Sequence, residues 1–136
     1  MIQPRNIDWV TDHTTTLTGI KQSDVENAPL WKDQWRDFAE FTQFNRIQLA
    51  AHMASNDESW LKHAYRREQL GYAHKHWMIC TTSMLYGWSV PWGCNIQRWS
   101  LKGLCKYFDL DYKPRHRGLY DARKVVEILQ HVSEIE

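Results

Sequence analysis

A chain of 136 residues is long enough for one ordinary domain and too short for two. Its 17 basic and 16 acidic residues leave a formal net charge of +1, so no global field marks it as a polyanion binder. Three cysteines, Cys80, Cys94 and Cys105, form no Cys-x-x-Cys pair, which argues against a disulfide scaffold or a zinc site. That usage, with no bilayer-length apolar run and no secretory core in the first residues, predicts a cytoplasmic protein without membrane contact. The 8 tryptophans are unusual for this length. They supply either large rigid pieces for a core or flat surfaces on which bases can stack.

In chain order, residues 1–30 are irregular, and Thr14-Thr-Thr-Leu-Thr-Gly-Ile20 reads as a loop entering a turn. Pro29 precedes a helical period in which Trp31, Trp35, Phe38 and Phe41 or Thr42 share one face, with Asp33, Arg36, Asp37 and Glu40 opposite. Arg46–His52 is an apolar run of strand length. Ser55-Asn-Asp-Glu58 has the capping-box spacing and predicts a second helix, with Trp60, Leu61, Ala64 and Tyr65 inward and Gly71 as its stop. His76–Cys80 reads as a short strand, followed by a weaker helical stretch through Tyr86 and a loop from Gly87 to Gln97.

Ser100 is placed to cap a third helix, with Trp99 and Leu104 as a hydrophobic staple and Leu101, Leu104, Cys105 and Phe108 as its buried stripe. The last helix spans about Leu119 to Val132, its core face marked by Ala122, Val125, Leu129 and Val132. Strands alternating with helices predict one α/β domain over residues 1–136. The densest basic spots, Arg66-Arg67 and Lys113-Pro-Arg115-His-Arg117, and the His74-x-His76 pair fit solvated surface.

Two carboxylates stand out. Asp57 falls where a strand ends and a helix begins, and Asp121 lies in the first turn of the last helix, on the face shared by Val125 and Ile128. His116 precedes Asp121 by five residues. An acidic residue in a helix's first turn also serves the macrodipole, so placement alone leaves both a catalytic and a structural role open.

Three stretches resemble one family in the same order. Trp99-Ser-Leu-Lys-Gly-Leu, then His116-Arg-Gly-Leu-Tyr-Asp121, is similar to the Ser-Leu-x2-Leu helix and the His-x4-Asp motif of the DEDDh, or DnaQ-like, 3′–5′ exonucleases. Leu49-Ala-Ala-His52-Met-Ala-Ser-Asn-Asp57 resembles that family's Val-Ala-His-Asn-Ala-x-Phe-Asp, with Met53 in place of the usual Asn. Thr18-Gly-Ile20, Ala28-Pro29 and Phe41 follow its upstream pattern. The resemblance implies a ribonuclease-H-like fold, a mixed sheet of strand order 3-2-1-4-5 flanked by helices. It also implies hydrolysis of phosphodiesters by a two-metal mechanism using Mg²⁺ or Mn²⁺. Asp57 and Asp121 would be the metal ligands, and His116 the general base on the attacking water. The substrate would be the 3′ end of a single strand of DNA or RNA.

Departures accompany the likeness. The family carries an Asp-x-Glu on its first strand, and no such strand is recognisable here. Met1–Pro4 resembles the end of the third strand, and Cys80 stands where many relatives have an Asp. The expectation is an N-terminally shortened domain, its first two strands absent, with activity as this chain in question. Three readings follow: an exonuclease, a catalytically degenerate domain binding nucleic acid, a protein partner or a missing N-terminal segment, and a small interaction domain whose His-x4-Asp is coincidental.

Overall fold

The computed structural model describes residues 1–44, 46–70, 78–113 and 118–134. Gly71, the His74-x-His76 pair, the first half of the His76–Cys80 strand and His116 lie outside the described residues. The chain divides into two compact units, residues 1–49 with 55–78, and residues 50–54 with 79–136.

The first unit begins with a 3-10 turn at Ile7–Trp9, followed by α1 (Asp12–Thr18), α2 (Gln22–Val25), α3 (Trp31–Phe41) and most of α4 (Ala54–Arg67). The expected loop over residues 14–20 is therefore helical up to Thr18. The caps decide this against the poor helix propensity of consecutive threonines. Thr11 Oγ1 accepts from Thr14 N at 3.3 Å, and Gly19 closes the helix at φ 68°. Gln22 Nε2 donates to the carbonyls of Ile7 and Val10, tying α2 to the first turn. Met1–Pro4 forms no strand; Gln3 N donates to the Pro29 carbonyl at 2.9 Å.

The expected face of α3 is correct at its start, where the Trp31 ring meets Tyr65 edge-on at 5.5 Å and Phe38 at 5.7 Å. Of the alternatives Phe41 and Thr42, Thr42 takes the buried position, together with Ala39, and Phe41 is exposed. In α4 Tyr65 is buried, whereas Trp60 faces solvent, 75% exposed, against expectation. Ser55 also proves to be inside the helix, which starts at Ala54.

The second unit holds the sheet. Among the described residues it consists of two parallel strands, β1 (Ala50–Ala51) and β2 (Ile79–Cys80), with Ala50 opposite Ile79 and Ala51 opposite Cys80. The mixed sheet expected from the resemblance is thus reduced here to one short parallel pair. Of the Arg46–His52 run only Ala50 and Ala51, near its end, find a partner, because a strand is defined by its ladder and not by its apolar residues.

Helices α5 (Thr81–Ser89), α6 (Leu101–Tyr107) and α7 (Gly118–Ser133) follow. α5 runs three residues past the expected end and includes Gly87. Ser100 caps α6 as expected, its Oγ accepting from Gly103 N at 3.2 Å. Leu85, Ile96, Leu104, Cys105, Phe108 and Ile128 form one buried cluster, with Trp88, Trp99 and Tyr112 packed against it. On α7 Leu129 and Val132 pack against this cluster as expected, the most buried residue is Ile128, and of the expected face only Ala122 is exposed. Among the described residues no helix is long and apolar enough to cross a membrane.

Candidate active-site residues

Asp57 sits in the first turn of α4, in the first unit, with an exposed side chain and no hydrogen bond or ion pair among the described residues. The strand-to-helix passage that places it is narrow. Met53, between β1 and α4, adopts φ 57°, a left-handed conformation unfavourable to a long side chain. Asn, the residue the resembled motif has there, tolerates that region because its short amide bonds locally to the backbone.

Beside the bend, His52 Nε2 donates to the Trp99 carbonyl at 2.8 Å, and the Thr82 hydroxyl lies 3.1 Å from Nδ1. The carbonyl can only accept, so Nε2 carries the proton and Nδ1 accepts from Thr82. Thr82 Oγ1 in turn accepts from Met53 N at 3.2 Å. The motif histidine therefore joins β1 to α5 and to the entrance of α6. It is a clamp for the bend.

Asp121 lies in the first turn of α7, in the second unit, and is half-buried. Its Oδ1 accepts from the Tyr112 hydroxyl at 3.2 Å. Burial, then the charge of Asp121 and this hydrogen bond, push the Tyr112 pKa up to about 12. Tyr112 and Tyr120 stack at 5.8 Å, the Tyr120 hydroxyl accepts from Lys113 N, and Lys124 lies over the Tyr120 ring while pairing with Glu127. Asp121 is thus supported by a tyrosine whose ring rests on the core, a partner that sequence spacing did not single out. A Tyr nine residues before the Asp, on the run leading into the same helix, was the available signal.

Cys80, where relatives were expected to carry Asp, ends β2 and caps α5. Its thiol pKa is lowered to about 7, first by the Ser83 side chain and the Ser83 backbone, against an opposing effect of burial that outweighs each of the smaller lowering contributions from the backbone of Ala54 and of Thr82. The tripeptide Asp24-Val25-Glu26 spells the acidic pattern expected on a first strand, yet it lies at α2, and the Asp24 carboxylate accepts from Lys21 N at 2.9 Å as a helix cap.

The hard carboxylate oxygens of Asp57 and Asp121 match Mg²⁺ or Mn²⁺ in kind. Among the described residues, no three His, Cys, Asp or Glu side chains gather to hold an ion. The donor type fits, and the donors gathered among the described residues fall short of those a metal pair needs.

A model of the exonuclease family matches residues 1–129. Three bacterial proteins named "DNA polymerase III PolC-type" are similar to the chain. The one from Oceanobacillus iheyensis is 31% identical over 109 residues, covering 80% of this chain and 7% of that protein. The Bacillus subtilis protein is 31% identical over 116 residues, covering 83% and 7%. The one from Caldanaerobacter subterraneus subsp. tengcongensis is 28% identical over 122 residues, covering 88% and 8%. The chain therefore spans less than a tenth of the length of these relatives. No solved structure gives a significant match. With the family match running through both units and over the motif segments of Asp57 and Asp121, the chain belongs to the exonuclease family of the DEDD superfamily, which acts on nucleic acid.

Proposed function

We propose that residues 1–136 act as one exonuclease-like domain that trims single-stranded nucleic acid from its 3′ end in a metal-dependent reaction. The observation that carries this reading is the exonuclease match over residues 1–129, because it spans Asp57 and Asp121 in one alignment. Asp57 and Asp121 supply carboxylate oxygens to Mg²⁺ or Mn²⁺, and His116 takes the proton of the attacking water. Mg²⁺ or Mn²⁺ held by Asp57 and Asp121 would supply activation of the attacking water and offset charge on the leaving oxygen. Tyr112 orients Asp121 by donating to Oδ1.

A second reading is a catalytically degenerate domain that binds nucleic acid or a protein partner. Two observations favour it: Asp24-Val25-Glu26 is helical and partly used as a cap, and the described residues hold no three-ligand cluster. One assay separates the two. The purified chain is incubated with Mn²⁺ and single strands labelled at either end, beside Asp121→Ala and His116→Ala. Stepwise shortening from the 3′ end that both variants lose supports hydrolysis by this chain. Binding without shortening supports the degenerate reading.

A further inference from the structure

The first unit carries a groove of about 620 Å³ that the proposed reaction does not use. Trp9 and Trp60 line it, 62% and 75% exposed, together with Arg5, Lys32, Arg67 and Glu68. Large aromatic side chains left this open have no packing role to explain them, and two on one concave surface form a contiguous apolar patch. Their setting is cationic. Three basic side chains face a single carboxylate in a chain whose net charge is only +1.

Glu68 does not cancel the two arginines it touches. Its Oε1 is bound by Arg5 Nε at 3.3 Å and by Arg67 Nε at 3.1 Å, so the carboxylate sets both guanidinium planes through their inner nitrogens. Each guanidinium carries five N–H donors, more than the contact through Nε uses, and such forks are of the kind that engage phosphate oxygens. Trp60 and Arg67 are seven residues apart on α4, two turns along one helix face. The groove thus combines rings and cations, the residue types that hold a single strand by base stacking and phosphate contacts.

We infer that this groove is a sequence-tolerant binding track for single-stranded nucleic acid, with bases stacked on Trp9 and Trp60 and phosphates met by Arg5, Lys32 and Arg67. The choice of ligand rests on the proposed nucleic-acid substrate; the track itself needs neither Asp57 nor Asp121. An apolar peptide would use the two rings but has no need of the three cations, which is why charge favours the polyanion.

The test is equilibrium binding of a fluorescein-labelled oligo-dT and oligo-U by the full chain in EDTA, read by anisotropy and by quenching of tryptophan emission. Trp9→Ala and Trp60→Ala should each weaken binding roughly 5- to 150-fold, the range for loss of one stacked base. Trp60→Tyr should restore most of the affinity, which separates lost stacking from lost structure. Arg67→Gln should flatten the dependence of affinity on salt by about one counterion. Oligonucleotide binding that is undetectable, or equally tight in Trp60→Ala, overturns the proposal. So does equal binding of dextran sulfate with the same response to every variant, since that would be charge alone. Cleavage in Mn²⁺ is measured separately: a chain that binds through these tryptophans and never cleaves keeps the track and refutes the proposed reaction.

Discussion

In residues 79–136 six buried side chains from α5, α6, α7 and the intervening loop meet in one cluster, and the partly buried Tyr112 packs against it before reaching Asp121. Among the described residues of 1–49 and 55–78 the buried ones, Val25, Ala39, Thr42 and Tyr65, are few and mostly small, while Trp9, Phe41, Phe44 and Trp60 lie exposed. A carboxylate backed by a core has its geometry set from behind, which is what a metal ligand or a catalytic acid needs. Asp57, by contrast, has an exposed side chain with no hydrogen bond or ion pair among the described residues, so nothing described there sets its geometry from behind.

That contrast can be broken most directly by truncating one large side chain in each unit. Leu104→Ala, at a fully buried position, should destabilise by about 3 kcal/mol in denaturant unfolding, whereas Trp60→Ala should change stability by no more than about 0.5 kcal/mol. Equal losses would mean that both units depend on one shared core.

A smaller effect comes from Gly103 on α6, which approaches the chain before it so closely that an added Cβ would press on the Arg98 carbonyl oxygen and lie 2.6 Å from Arg98 Cβ. Gly103→Ala should cost about 2 kcal/mol, since backbone cannot yield as a side-chain tip can. Thermal unfolding beside Gly87→Ala, whose Cβ meets nothing within 4 Å, gives the control.

Tyr112→Phe should cost roughly 1 kcal/mol by leaving Asp121 without its donor. It should also change the response to base. The folded protein favours protonated Tyr112, so that stabilisation is complete below the ordinary tyrosine pKa of about 10 and is lost as pH rises toward about 12. The variant should lose less stability over that window, as followed by unfolding at graded alkaline pH.

The smallest expected change is a gain. Met53→Asn should stabilise by about 0.5 kcal/mol, because Asn adopts φ near 57° with less strain. A loss would show that the Met53 side chain, half exposed, packs more usefully than its backbone suffers.

Much of the second unit was legible from residues alone. Ser100 as cap, the Leu104–Cys105–Phe108 stripe and the last helix with Asp121 in its first turn follow from local rules that act over four residues or fewer. The motif order around His52, Asp57, His116 and Asp121 was likewise enough to name the exonuclease family, and the family match agrees. His116 itself lies outside the described residues, so its place beside Asp121 rests on the motif.

What tertiary structure alone decided lies where periodicity is silent. Trp60 falls on a face that sequence assigns to the core, and periodicity left Phe41 and Thr42 as alternatives; burial needs a partner surface, and α3 and α4 meet through Trp31 and Tyr65, with Thr42 buried and both Trp60 and Phe41 exposed. The two-residue strands exist because Ala50 and Ile79 find each other across nearly thirty residues, a pairing no local pattern specifies. The hydrogen bond from Tyr112 to Asp121 and the bonds of His52 to Trp99 and Thr82 are of the same kind. Sequence determined which residue types were available for chemistry and on which elements; folding in three dimensions determined which of them acquired a supporting donor, because hydrogen bonds form between neighbours in space.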